Sequence, residues 1–340
     1  TERFLSRTLK ALEIVADKLH KSGFGVPTRI FCVLASPWYA SQTRVIHLKK
    51  NKPFIFTEKI ADELIKREIK LMSEEHLSQY GSGEGAIRPI ELKNIKTSLN
   101  GYDTEEPLYK KAKELEMSIF ISMSGESMLA KMENAIRRFF QSEEIKFSSF
   151  AIASFTAARD FDSKRENFLL VDIGGEVTDI FMVKKNVLRD SISFPLGRNF
   201  FSRSVASGLG STISEANSLI SLLKDGHAEE TVAAKLKTIM DKLRSEWLNK
   251  FQESLANLSN DISIPATVYI TADATFSDLF ADTIKAEQFS QYTLAESKFE
   301  ITVLNTKLLH NLASFEEQQA TRDPFLIIDC VYINRFLLKI

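Results

Sequence analysis

Cysteine and clustered histidine are the scarcest features of this sequence. The chain has two cysteines, Cys32 and Cys330, each in an apolar run and without CxxC spacing. That setting is typical of small core residues in a reducing compartment, and it gives no support for a disulfide framework or a cysteine-based metal site. The five histidines are scattered without an HxxxH pair, so a histidine-based metal site or catalytic triad also lacks sequence support.

An excess of charge of one sign is missing too. The 44 Lys and Arg residues stand against 45 Asp and Glu residues, which gives a formal net charge of -1. This balance gives no electrostatic reason to expect nucleic acid or an anionic membrane as the main partner, although it leaves room for local patches. We therefore expect no nucleic-acid partner.

Long apolar runs are absent as well. No run approaches the roughly 20 residues that a membrane-spanning helix needs. Glu2, Arg3 and Arg7 stand where a signal peptide would have its apolar core. These absences predict a protein without a transmembrane segment that is cytoplasmic, or at most peripheral to a membrane.

What the chain does have is enough length and hydrophobic content for a large core. Its 340 residues, 44% of them hydrophobic, predict two lobes. An amphipathic helix opens the chain, and residues from about 26 to about 123 predict a strand, strand, helix, strand, strand unit. Two helices follow, the second over residues 148–158, and the charged loop 160–166 marks a boundary.

The most informative motif lies at residues 168–180, which read FLLVDIGGEVTDI. An apolar strand ends in an acid, and two glycines and a hydroxyl follow. Gly174 and Gly175 would let backbone N–H groups approach an anion, Asp172 could hold a hydrated Mg²⁺, and the Thr178 hydroxyl could contact phosphate. The alternative is a tight turn between two core strands, with the acids bonded to turn amides. Both interpretations stay open at this stage.

The remainder of the chain predicts a mixed α/β region. After a strand at 191–194, the turn Pro195-Leu196-Gly197 leads into a helix over about 199–207. A second helix covers 213–223, and a long helix over about 229–258 carries an apolar stripe typical of core packing. A strand at 267–271, a helix at 277–286, a strand at 299–304 and a terminal helix that begins at Asp323-Pro324 complete the pattern.

This order of elements resembles the actin-like ATPases, and more narrowly their FtsA and PilM branch. The best local matches are residues 171–180, for the second phosphate loop, and 192–206, for the element after it. The resemblance implies an α/β, actin-like (ribonuclease H-like) two-lobed fold. Residues 1–25 and 124–165 would form an incomplete first lobe, 26–123 an inserted subdomain of strand-helix-strand-strand type, and 166–340 the second lobe with a helical 212–258 portion.

The resemblance also implies a nucleotide site. Asp172, Gly174, Gly175, Thr178 and Gly197 would bind ATP, with Asp172 holding Mg²⁺, and no residue is assigned a catalytic role. The first DxG phosphate loop of the family has no counterpart, because the chain opens at Thr1 on the following helix; we expect that this loop is absent or was trimmed.

Other family contacts have changed. The pattern Ala-Glu-x-x-Lys is replaced by residues 216–220, which lack both charges. Asp273 stands where a Gly-Gly turn would lie beneath the adenosine, and it would place negative charge near phosphates unless Mg²⁺ or Lys screens it. The helix before the hairpin lacks a Gln or Glu to activate water. These changes predict weak or lost nucleotide binding, at most a weak Mg-dependent ATPase.

The resemblance predicts an adaptor or scaffold at the cytoplasmic face of the bacterial inner membrane. A PilM-like role in type IV pilus assembly is preferred, because no linker separates residues 323–340 from the fold as it does before the membrane helix of FtsA. The partner would be the cytoplasmic tail of a membrane protein, a pilus protein or a cell-division protein, and self-association stays open. The alternatives are an FtsA-like cell-division protein that binds and hydrolyses ATP and polymerises, or a small-molecule kinase or hydrolase on the same core.

Overall fold

The structure, a computed structural model, describes residues 2–23, 25–80, 86–141, 144–258, 263–287, 289, 298–313 and 323–337, with side chains left out at 76–80 and 336–337. The chain divides into two compact units, Thr1–Phe150 and Ala151–Ile340. Each unit is described by itself below. The finer division predicted from the sequence, with an insert at 26–123, remains a prediction.

The first unit contains three helices and six strands among its described residues. In chain order they are α1 (Glu2–Lys21), β1 (Arg29–Leu34), β2 (Ala40–Ile55), α2 (Glu58–Tyr80), β3 (Ile87–Leu99), β4 (Tyr102–Asp103), β5 (Lys111–Gly125), α3 (Glu126–Arg137) and β6 (Glu144–Ser149).

Four of these strands form one antiparallel sheet in the order β2-β5-β3-β4. The last strand of the unit predicted over about 26–123 is present as β5, which begins at Lys111 within a charged stretch. Ala112, Leu115 and Met117 are buried there although charged residues separate them. Their side chains join the same core as Ile119 and Ile121, so the charged stretch belongs to the strand.

The other two strands, β1 and β6, pair in parallel from Arg29 with Glu144 to Leu34 with Ser149. The sequence analysis missed β6 and began the next helix at 148, which is wrong, since that helix begins at Phe150. Six residues give too little periodicity to separate a short strand from the helix that directly follows it. On the other side of the unit, α1 packs on α3 through Leu12 and Ala16.

The second unit contains the remaining described elements. They are α4 (Phe150–Phe161), β7 (Phe168–Ile173), β8 (Thr178–Lys184), β9 (Val187–Phe194), α5 (Arg198–Leu209), α6 (Ile213–Lys224), α7 (Glu230–Leu258), β10 (Thr267–Ala272), α8 (Ser277–Ala286), β11 (Glu300–Val303), α9 (Thr306–Leu309) and α10 (Pro324–Tyr332), with a 3₁₀ turn at His310–Leu312 and a π turn at Ile333–Leu337.

A five-stranded sheet organises this unit in the order β11-β10-β7-β8-β9. The hairpin strands β7, β8 and β9 are antiparallel, and β10 and β11 run parallel to β7. The prediction that the α7 stripe packs in the core is confirmed, since Trp247, Phe251 and Leu255 are fully buried. The sheet thus brings the ends of β7 and β10 side by side, next to the hairpin loop.

The terminal helix α10 begins where the sequence predicted, with Asp323 as its N-cap and Pro324 in the first turn. Ile328 and Tyr332 on it are fully buried, while residues 338–340 lie outside the described part of the chain. Among the described helices, none combines the length and the apolar character that crossing a bilayer requires.

Candidate functional site

The candidate site is the hairpin between β7 and β8 together with the start of α5. The strands pair up to Ile173 and Thr178, and residues 174–177 connect them. Gly174 N–H donates to Val177 O at 3.0 Å and closes this loop. Asp172 and Asp179 lie directly opposite each other on the paired strands, so two acids face one position at the end of the sheet.

Asp172 is almost completely buried, with 3% of its surface exposed. Thr271 on β10 donates its hydroxyl to Asp172 Oδ1 at 2.7 Å, and Ser193 on β9 donates to Asp179 Oδ1. Burial, and then the charge of Asp179, raise the pKa of Asp172 to about 8. Without a cation beside it, this carboxyl is therefore largely protonated at neutral pH, which makes it a weak ligand for Mg²⁺.

Thr178 is fully buried and its hydroxyl is used twice inside the protein. It donates to Leu196 O at 2.7 Å and accepts from Trp247 Nε1 at 3.1 Å. A hydroxyl has a single proton, so Thr178 does not donate to a phosphate in this arrangement. The sequence motif predicted a hydroxyl at the site, whereas the structure uses it to join the hairpin to α7.

The predicted glycines come together where the hairpin loop meets the start of α5. Gly197 N–H donates to Glu176 O at 3.1 Å, Arg198 N–H to Gly174 O at 3.0 Å and Asn199 N–H to Gly175 O at 2.8 Å. A Cβ placed on Gly197 would lie 2.5 Å from Gly174 O and 2.6 Å from the carbonyl carbon of Gly175. The absence of a side chain at Gly197 is therefore explained by this close packing alone.

The side chain of Glu176 adds a second connection between the loop and α5. Arg203 donates to its two carboxylate oxygens at 2.8 and 2.9 Å, and Asn199 Nδ2 donates at 3.0 Å. The hydrogen bond from Arg203 is the main reason that the pKa of Glu176 is lowered. Sequence reasoning missed this cluster, although an acid within a glycine-rich turn and an Arg one turn into the following helix are a usable signal.

Asp273, which the sequence analysis singled out as a charge near the expected phosphates, has a partner in Arg198 at the start of α5. Its Oδ1 also accepts from Thr275 N–H at 2.9 Å, and its carbonyl accepts from the amides of Phe276 and Ser277, each at 2.9 Å. The expected screening cation was Mg²⁺ or Lys; here Arg198 takes that place.

Lys224, at the end of α6, makes a second connection to the turn between β10 and α8. Lys224 Nζ donates to Ala274 O at 2.6 Å and pairs with Asp278 at 2.9 Å. The first turns of α5 and the last turn of α6 are therefore both tied to the turn after β10. In the arrangement that the resemblance implies, an adenosine would lie among these elements.

The residues present fit a magnesium nucleotide poorly. Among the described residues, no group of three or more His, Cys, Asp or Glu side chains is arranged to hold a metal ion. The amides of Gly175 and Glu176 donate to no acceptor in the described part of the chain, and two such N–H groups in a loop can hold an anion weakly. The carboxyls next to this loop, Asp172 and Asp179, are buried and hydrogen-bonded within the protein.

Comparisons with known proteins identify the fold. No family model matches the sequence, and no curated protein is significantly similar to it. Among solved structures, PilM in the PilM-PilN type IV pilus biogenesis complex superposes with a TM-score of 0.54 at 12% identity, covering 80% of this chain and 72% of that one. The chain has the actin-like fold.

Two further matches are more distant. A Bacteroides thetaiotaomicron protein with an actin-like ATPase fold and unknown function gives a TM-score of 0.39 at 8% identity, covering 88% of this chain and 79% of that one. MreB 5 of Spiroplasma citri bound to AMPPNP gives 0.31 at 14% identity, covering 52% and 60%. The superposition on PilM confirms the prediction of an α/β, actin-like fold.

Proposed function

We propose that this actin-like chain is an adaptor that docks the cytoplasmic tail of a bacterial inner-membrane protein, in a role like that of PilM, and that it binds nucleotide weakly or not at all. The fold supports the comparison with PilM, which was solved in complex with PilN. The hairpin site supports the loss of nucleotide binding. The protein would then act at the cytoplasmic face of the membrane.

The proposal rests on one observation: the first amides of α5 already donate hydrogen bonds to other groups of the protein. The N–H groups at the start of a helix are a favourable place for phosphate, because they are unpaired and lie at the positive end of the helix dipole. Here Gly197, Arg198 and Asn199 donate theirs to carbonyls of the hairpin loop. A phosphate at this helix terminus would first have to displace the loop.

The charges at the turn after β10 also support weak or absent nucleotide binding. A nucleotide brings several negative charges, and Asp273 adds another, which its ion pair with Arg198 offsets. If phosphate recruited Arg198, Asp273 would lose its partner, so binding would exchange one ion pair for another with no net gain. The bridge from Lys224 to Ala274 also has to open before a base can enter between α6 and this turn.

One observation favours the second candidate, an FtsA-like protein that binds ATP. The amides of Gly175 and Glu176 have no acceptor in the described residues, as a phosphate-binding loop requires. We rank this candidate second because Thr178 and Asp172, which would complete the loop, are engaged by Trp247, Leu196 and Thr271.

Calorimetric titration of MgATP into the purified chain tests the nucleotide part. We expect no saturable binding, which corresponds to a dissociation constant weaker than about 1 mM. Micromolar, Mg²⁺-dependent binding would overturn the loss of nucleotide binding and favour the second candidate. Asp273→Ala removes the opposing charge and should bring any residual binding into the measurable range, whereas Asp241→Ala, a matched loss of an exposed acid on α7, should not.

Tail docking needs a test of its own. A two-hybrid screen against cytoplasmic tails of inner-membrane proteins, followed by titration of the synthetic tail peptides that score, should give saturable binding to at least one tail without ATP. Tail binding that appears only with MgATP would contradict the nucleotide-independent adaptor, and a complete failure of every tail would contradict the docking role.

A further inference from the structure

Helix α1 carries a continuous line of positive charge on one side. Its basic residues and one isoleucine recur every three or four positions, which places them one above another on an α-helix. With about 1.5 Å of rise per residue, the line is close to 30 Å long. Its members, called the α1 stripe below, are Arg3, Arg7, Lys10, Ile14, Lys18 and Lys21.

The opposite side of α1 is part of the core of the first unit. Ala16 is buried, and Leu9 and Leu12 pack with the buried side chains of α3, including Leu129 and Ile136. The helix is thus fixed on the unit by its apolar side. The α1 stripe is therefore presented on a folded surface rather than on a free terminal tail.

The charges of the α1 stripe are exposed and mostly unneutralised. All five of its cations are exposed. Lys21 pairs with Asp17 at 2.7 Å, and no ion pair involves the other four among the described side chains. Of the acids near the stripe, Glu13 is engaged by Arg138 of the segment after α3. A net positive surface remains, although the whole chain is close to neutral.

Exposed apolar side chains lie within and beside this positive surface. Ile14, in the middle of the α1 stripe, has 48% of its surface exposed, and Val15, at the edge of the stripe three positions before Lys18, has 53%. Exposure of large β-branched side chains to water is unfavourable, whereas their transfer to the boundary between headgroups and acyl chains is favourable. Basic residues that flank apolar ones on one side of a helix are the pattern of surface binding to anionic lipid.

We propose that the α1 stripe is a contact surface for anionic phospholipid headgroups, with Ile14 and Val15 inserted between them. The biological setting rests on the proposed peripheral function, whereas the surface itself does not. A nucleic acid would also be attracted by the cations, but it would leave Ile14 and Val15 without a favourable environment. The lipid surface is therefore the better match to both features of the helix.

Co-sedimentation with vesicles tests this inference without nucleotide or a protein partner. The unchanged chain should bind vesicles of equal parts phosphatidylcholine and phosphatidylglycerol, and bind pure phosphatidylcholine far less. Replacing Arg7, Lys10 and Lys18 together by Gln should weaken binding on the order of a hundredfold, since each basic residue near such a surface contributes about a factor of five. Ile14→Gln should weaken it about tenfold.

The matched control replaces Lys235, Lys237 and Lys242, three exposed lysines of α7, by Gln. This variant has the same change in net charge and should bind like the unchanged chain. Thermal unfolding of every variant confirms that the fold is retained. Because no protein tail is present, failure here leaves the docking function standing, and failure of docking leaves this inference standing.

Several outcomes would overturn the lipid surface. They are the absence of binding to anionic vesicles, equal losses in the α7 control, and retention of binding after the triple change in α1. A different result would assign the surface to nucleic acid instead. In that case the chain would bind a single-stranded oligonucleotide, the triple change at Arg7, Lys10 and Lys18 would weaken this binding, and Ile14→Gln would affect neither oligonucleotide nor vesicle binding.

Discussion

The hairpin of the second unit and helix α1 of the first unit differ in whether their polar groups have partners within the protein. At the hairpin, the amides of Gly197, Arg198 and Asn199 and the hydroxyl of Thr178 all have partners within the protein. On α1, four of the five cations of the α1 stripe form no ion pair among the described side chains, and apolar residues beside them stay exposed.

The difference follows from the free-energy cost of leaving a polar group unpaired, which is large for a buried group and small for an exposed one. A buried polar group without a partner costs about 1–3 kcal/mol, so folding favours a hairpin that satisfies itself. Exposed cations have no such penalty and remain available to a partner. The amides of Gly175 and Glu176, which have no acceptor in the described residues, are the exception in the hairpin loop. The predictions at Gly197 and Thr178 below test how completely the hairpin is closed.

The largest effect is expected from Gly197→Ala. The new methyl would lie 2.5 Å from Gly174 O, a backbone atom that cannot move without breaking the bonds between the loop and α5. We expect a loss of about 4 kcal/mol in the free energy of unfolding, near the upper end for a point change. Urea unfolding followed by circular dichroism measures it.

Gly208→Ala is the matched control in the same helix. Its Cβ would meet the end of the flexible Ile239 side chain at 2.8 Å, which can rotate away, and Ala also favours the helix by up to about 1 kcal/mol. We expect a change within about 1 kcal/mol of zero. Equal stabilities for the two variants would mean that the hairpin and α5 are not closely packed.

The next effect is expected at Asp329 on α10, in the second unit. Its Oδ1 is buried without a hydrogen-bond partner in the described residues. Burial, and then the charge of Asp323, raise the pKa of Asp329 to about 7 from an ordinary value of 3.8. The folded state therefore favours the protonated acid. Stability from this group is complete below about pH 4 and is lost as the pH rises through about 7.

Asp329→Asn keeps the shape of the side chain and removes the ionisation. The variant should match the unchanged chain near pH 4 and become more stable than it as the pH rises, by up to about 4 kcal/mol above pH 7. Thermal unfolding across this range checks the sign, and Asp241→Asn, at an exposed acid of α7, serves as the comparison. A difference that does not vary with pH would show that Asp329 does not ionise in this window.

Much of the second unit was predictable because its signals are local. The predicted helix at 277–286 coincides with α8, and the turn Pro195-Leu196-Gly197 does lead into α5. The apolar stripe of α7 repeats over eight turns, so its burial followed from periodicity. The motif at 168–180 was correctly placed at a hairpin for the same reason: two apolar strands and a glycine pair are adjacent in the chain.

The chemistry of the hairpin was less predictable, because the partners of its residues are distant in sequence. Trp247 is 69 positions from the hydroxyl it reaches on Thr178, and Thr271 is 99 positions from Asp172. The motif identified which groups are present, but tertiary packing decides whether a hydroxyl faces a phosphate or a tryptophan. The same limit explains why the bridge from Arg198 to Asp273 was missed.

The smallest effect is expected from Thr178→Val, which tests that internal use of the hydroxyl. Valine keeps the branched shape and fills the same space, but it leaves Leu196 O and Trp247 Nε1 without their partner. We expect a loss of about 2 kcal/mol, since one buried acceptor and one buried donor become unpaired. Thr178→Ser, which keeps the hydroxyl and loses a methyl group, should cost about 1 kcal/mol, and only the Val variant should shift the fluorescence of buried Trp247. If Val were tolerated without loss while MgATP binding fell, the hydroxyl would serve a ligand rather than the fold, and the hairpin would join α1 as a surface with groups left open for a partner.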